Sequence, residues 1–198
     1  MKKRIFYGIA TLMVAAIFSG CGKAPQAEID KANAALDSAR AAGADLYLPE
    51  AYNTVNDSLN AALVLVEAEN SEVIKSYGVA REKLSQVTLD ARQLVQNTET
   101  RKEEVRANVQ KTVSEINALL QENRQLIAKA PRGKEGTAAL QAFKSELSVI
   151  EASLSDIETL FESGELLESE TKAVAAKEKA ASIKAELTEV IAKYNRAR

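Results

Sequence analysis

"LQAFKSELSVIEASLSDIETLF", residues 140–161, decides the fold. Its apolar positions Leu140, Phe143, Leu147, Ile150, Leu154, Ile157 and Phe161 fall three and four apart without a slip. That period gathers side chains on one stripe of an α-helix. "ESGE" (162–165) then turns the chain, and Ala173, Ala176, Ala180, Ile183, Leu187, Val190 and Tyr194 repeat the spacing. Two matched stripes joined by a short glycine turn predict an antiparallel hairpin over 137–198 with knobs-into-holes packing. The alanine-rich start of the second helix faces the bulky Phe161 end, and Phe143 is expected near Leu187.

Upstream, "APRGKEG" (130–136) is a loop, with Pro131, Gly133 and Gly136 as its breakers. Before it, 27–130 reads as a helical region containing a long helix. From Ser71 to Ala130 the one breaker is Gly78, which costs about 1 kcal/mol relative to Ala. Tyr77, Ala80, Leu84, Val87, Ala91 and Leu94 make one stripe, and Val109, Ile116, Leu119, Leu120, Leu126 and Ile127 resume it. Between them "QNTETRKEEVRAN" (96–108) is polar, either a solvated part of one helix or a bend. Its richness in helix formers favours continuity. Asn123 reads as solvent-facing near a fraying helix end; the alternative is a buried position that sets register.

An earlier helix should start near Ala27, carry Ile29, Ala32, Leu36 and Ala39 on one stripe, and stop at Gly43. Pro49 suits the first turn of the next, which carries Tyr52, Val55, Leu59, Ala62 and Val66. "AENSE" (68–72) is a weak break. The segments starting at Tyr52 and Tyr77 share a loose pattern and read as neighbouring helices filling equivalent layers. The fold class is thus all-α, an elongated antiparallel helical bundle built of coiled-coil hairpins.

The N-terminus has a different character. Lys2, Lys3 and Arg4 precede an uncharged run from Ile5 to Phe18, and Ser19-Gly20-Cys21 closes it. The run is shorter than the ~20 apolar residues a membrane span needs. A charged start, a short apolar middle and small residues at the exit read as an export signal over 1–20. Cys21 is the only cysteine of the 198 residues. Phe18-Ser19-Gly20-Cys21 resembles the bacterial lipobox, with Phe18 where that family usually has Leu. The resemblance implies cleavage before Cys21, diacylation of its thiol and frequently acylation of the new N-terminus. The alternative is an ordinary signal with an incidental thiol. Residues 21–26 would then be the acylated cysteine and a short tether. One acyl chain holds a protein only marginally, and two or three hold it stably. Gly22 follows the cysteine; in the enterobacterial sorting pattern that this resembles, Asp there retains a lipoprotein in the inner membrane. Gly therefore implies the outer membrane, with the body facing the periplasm.

The chain has 26 basic and 28 acidic residues, and the signal removes three of the former and none of the latter. A mildly acidic, well-mixed body lacks the basic face that nucleic acid requires. Histidine, the commonest general base and metal ligand, is absent. Lys144 and Ser145 are adjacent and do not face each other on a helix. Glu103/Glu104, Asp156/Glu158 and Glu165/Glu168/Glu170 cluster without calcium-loop spacing and read as solvated surface. No catalytic residue, metal ligand or cofactor site is expected.

The stretch 35–63 carries Ala39-Arg40, Gly43-Ala44, Tyr47 and Pro49-Glu50. It resembles an alanine-rich helical domain of unknown function in Gram-negative envelope lipoproteins. Relatives of that domain often continue into an OmpA-like peptidoglycan-binding domain, and this chain shows nothing of that kind. The anchor, the helical body and the missing catalytic groups together read as a non-catalytic scaffold or interaction module of the cell envelope, with an envelope protein as partner and oligomerisation open. Alternatives are a peptidoglycan-associated tether, disfavoured by an ending in Arg198 instead of the lysine used by the major outer-membrane lipoprotein, and a periplasmic carrier of a lipid or other apolar ligand.

Overall fold

The computed structural model describes residues 22–131 and 134–196, with the side chains of 134 and 135 left aside. The described residues form six helices and no strand, so the chain is all-α. They are α1 (Gln26–Ala41), α2 (Ala44–Tyr47), α3 (Pro49–Ser71), α4 (Gly78–Lys129), α5 (Lys134–Ser163) and α6 (Leu166–Arg196). They belong to two compact units divided between Arg101 and Lys102, and α4 contributes to each.

In the first unit, α1, α3 and the first part of α4 enclose one core. Alanine supplies much of it: Ala32, Ala35, Ala39, Ala44, Ala62, Ala80 and Ala91 are buried around Leu36, Tyr52, Val55, Leu59, Leu84 and Leu94. Small side chains let helix axes approach closely. Gly43 ends α1 with φ 82°, a left-handed conformation that glycine adopts without Cβ strain, and its N–H bonds Arg40 O at 2.7 Å. Pro49 opens α3, where its missing N–H costs nothing. Arg40 lies over the Tyr52 ring, 5.4 Å from its centre, and joins the two helices at that end. Because α3 and α4 run antiparallel, Tyr52 and Tyr77 sit at opposite ends of the unit and do not fill equivalent layers.

In the second unit, α4 from Lys102, α5 and α6 pack together. The Ser163-Gly164-Glu165 turn has Gly164 at φ 86° and bonds Glu165 N–H to Leu160 O at 2.9 Å, closing α5. Ser169 Oγ then donates to Ile157 O (2.9 Å), and Lys179 pairs with Glu146 (2.7 Å). These contacts fix an antiparallel register that sets Phe143 opposite Ile183, one turn away from the expected Leu187. Val190 and Tyr194, expected on the buried stripe, are 42% and 43% exposed. In this register Val190 comes opposite Gly136, in the first turn of α5, where there is no side chain for it to pack on. Between α4 and α6 three contacts repeat every seven residues: Asn108–Glu170 (3.2 Å), Glu115–Lys177 (2.5 Å) and Glu122–Lys184 (2.7 Å). That heptad ladder means the two helices run parallel, flanking their seam as the e and g positions of a coiled coil do.

The long helix is continuous through 96–108, as its composition favoured; at 52 residues it is about 78 Å long. Thr98 and Val105 keep the buried stripe going through the polar stretch, and Thr98 meets its hydrogen-bonding need within the helix, Oγ1 to Leu94 O at 2.7 Å. Two expectations are corrected. The helix starts at Gly78 and not at Ser71, because the chain must reverse between α3 and α4 for their apolar stripes to meet, and packing overrides local propensity. Asn123 is fully buried, not solvent-facing: its Nδ2 donates to Ala180 O on α6 at 2.8 Å, while its Oδ1 has no partner among the described residues.

Candidate functional site

Cys21 and the export signal expected before it lie outside the described residues. The described chain begins at Gly22, and residues 23–28 are bound to the first unit. Pro25 is fully buried, and Arg81 Nη2 on α4 donates to Lys23 O at 3.1 Å. The same guanidinium stands 3.4 Å from Glu28 on α1. The described part of the short tether expected over 21–26 is thus docked where α1 and α4 begin. The side chains responsible, Pro25 and Arg81, do not stand out in the sequence, since a proline before a helix and an arginine on one are both commonplace.

The α3–α4 connection stands at this end too. Glu72 is extended, Ser76 N–H bonds the Glu69 carboxylate (3.0 Å), and Asn70 Oδ1 accepts from Lys75 Nζ (3.0 Å) and Tyr77 Oη (3.1 Å). Tyr77 is buried, and its carbonyl accepts the Arg81 N–H at 2.9 Å. Between these pins Val73 and Ile74 are 99% and 87% exposed. The sequence concealed them, because Val73 falls four before Tyr77 and continues the helical period.

The acidic clusters do not converge. Glu103 pairs with Arg106, Glu168 with Lys172 (3.9 Å), Glu170 accepts from Asn108, and Glu165 accepts from Ser163 Oγ (3.1 Å). Asp156 and Glu158 are exposed. Ser145 Oγ is spent on Gln141 O at 3.1 Å, away from Lys144 chemistry. Among the described residues no group of three His, Cys, Asp or Glu side chains could hold a metal ion. The perturbed acids and bases belong to ion pairs: the Lys177 hydrogen bond holds Glu115 below the usual carboxylate range, Lys193 does the same for Glu189, and Glu146 raises Lys179. A groove of about 540 Å³ lies between the end of α4 and the start of α5. Ile127, Leu140 and Leu147 line it together with Lys144 and the Arg124–Glu151 ion pair (2.6 Å), so its wall is as much charged as apolar. Among the described residues no helix is long and apolar enough to cross a membrane.

Comparison with known proteins yields no matching family model, no similar curated sequence and no similar solved structure.

Proposed function

We propose that this chain is an exported lipoprotein of the bacterial envelope, anchored by acyl chains on Cys21, whose helical body is a non-catalytic scaffold or protein-interaction module. The observation that carries the reading is the place of the sole cysteine, immediately after a charged, apolar and then small-residue leader. Acylation removes a thiol that would otherwise be a reactive liability in an exported protein. Gly22 favours the outer membrane, with the body in the periplasm and an envelope protein as its partner. The ion-paired state of the perturbed carboxylates and the absence of histidine favour binding over catalysis. A groove of about 490 Å³ lined by Val109, Val113, Leu154, Ile157 and Phe161 favours, as the alternative, a periplasmic carrier of an apolar ligand.

Metabolic labelling with a fatty-acid analogue tests the anchor. Wild-type protein should carry the label and fractionate with membranes, and Cys21→Ala should lose both. Label retained by the variant at the wild-type level would overturn the proposal.

A further inference from the structure

We propose that Val73 and Ile74 insert into the bilayer beside the acylated cysteine, making the α3–α4 connection a second, apolar foot that fixes how the first unit stands on the membrane. The inference rests on the lipid-anchor reading of Cys21 and extends it to a surface that the anchor itself does not define. The described chain begins at Gly22, next in sequence to Cys21, and Lys23 is held to Arg81 at this end of the first unit. An acyl chain on that cysteine therefore brings the lipid surface against this end of the unit and no other.

The protruding groups at that end are aliphatic. Val73 and Ile74 lie between Asn70 and Tyr77, whose side chains bond each other, and Tyr77 is one turn from the Arg81 that grips Lys23. Two adjacent branched side chains stand 99% and 87% exposed, so the described residues do not cover them. They are held on a pinned loop, so their insertion does not require ordering a flexible segment. Glu69 and Glu72 offset Lys75, and no cationic excess surrounds the pair. The contact is apolar insertion, not attraction to anionic headgroups, and should persist in zwitterionic lipid at high salt.

The test uses the full-length, processed protein carrying Ile74→Cys labelled with an environment-sensitive fluorophore, bound to phosphatidylcholine vesicles with brominated acyl chains. Leu46→Cys, at the opposite end of the first unit and 68% exposed in the parent, is the matched probe. Fatty-acid labelling of the same preparations reports the anchor separately. The expected result is a blue-shifted emission quenched by bromolipid at position 74 and a solvent-like emission at 46. Acylated, vesicle-bound protein whose probe at 74 behaves like that at 46 would overturn the inserted foot and leave the anchor standing. Absence of fatty acid from the wild-type chain would overturn both. Neither position is buried, so loss of the signal through misfolding is checked by unchanged helicity.

Discussion

The first unit and the second solve the same packing problem with different side chains. Both bring three helical segments around one apolar seam. In the first, buried alanines occur on α1, α3 and α4, and the ends are stapled by Arg40 over Tyr52 at one end and by Arg81, Lys23 and Glu28 at the other. In the second, buried Leu and Ile dominate α4 and α5, alanines gather on α6, and register is written along the helices by Asn123, Ser169 and the heptad ladder. An alanine seam specifies distance but says little about sliding, so fixed ends must supply the register. A leucine-isoleucine seam fills space well but tolerates alternative pairings, so buried polar groups must exclude them.

The comparison can be broken most forcibly by swapping side-chain size. Ile183 is fully buried, and Ile183→Ala should destabilise the second unit by about 2–5 kcal/mol. Ala39 is also fully buried, and there the damaging change is the opposite one: Ala39→Leu should cost about 1–3 kcal/mol by overpacking. Denaturant unfolding followed by hydrogen exchange, resolved by segment, assigns each loss to its unit. A tolerated Ala39→Leu would mean that the alanine seam has room and that its composition is not what holds those helices close.

Asn123→Leu should have a smaller effect on stability than either. The variant loses one hydrogen bond to Ala180 O, but it also removes an oxygen buried without a partner, so the melting temperature should hold or rise. What should suffer is uniqueness, seen as heterogeneous amide protection along α4 and α6. A clear fall in melting temperature with uniform protection would assign Asn123 to stability and remove it from register.

Much of this division was legible in the stripes, since Ile157 and Ala39 fall on their periods whatever packs against them. Asn123 was not, because its meaning depends on the Ala180 carbonyl 57 residues away. The break at 72–77 was concealed for a related reason. Val73 suits the helical period, and only the reversal that brings Tyr52 to Ala62 against Leu84 to Leu94 requires the chain to leave the helix there. The hairpin register missed by one turn because heptad stripes look alike after a shift; the Ser169 and Glu146 contacts choose among them. Of the candidate site, the sequence singled out Cys21 after a charged and then apolar start, and it did not show that Pro25 and Arg81 draw residues 23–28 onto the bundle.

The smallest expected effect concerns the ladder. The Glu115 carboxyl is held low by Lys177, so its contribution is present above the ordinary carboxylate pKa and is lost as pH falls through the depressed one. Acid titration of the second unit's stability should show a slightly shallower loss in Lys177→Gln than in the parent, with the difference shrinking at high salt because the pair is exposed. Identical acid limbs would reduce the Glu115–Lys177 contact to a surface decoration without part in register.

The turn at Gly164 also sets an order of events in time. Ser169 reaches Ile157 across 12 residues, whereas Asn123 finds Ala180 only across 57. Closing the shorter loop sacrifices less chain entropy, so α5 and α6 should zip first and offer a preformed groove to the last part of α4. Slowed refolding in Ser169→Ala, against faster unfolding with unaltered refolding in Asn123→Ala, would be the kinetic trace of that sequence. The reverse assignment would place α4 in the nucleus. A chain that folds in this order keeps its parallel pairing, the one most expensive in loop closure, until a local hairpin has already chosen the direction.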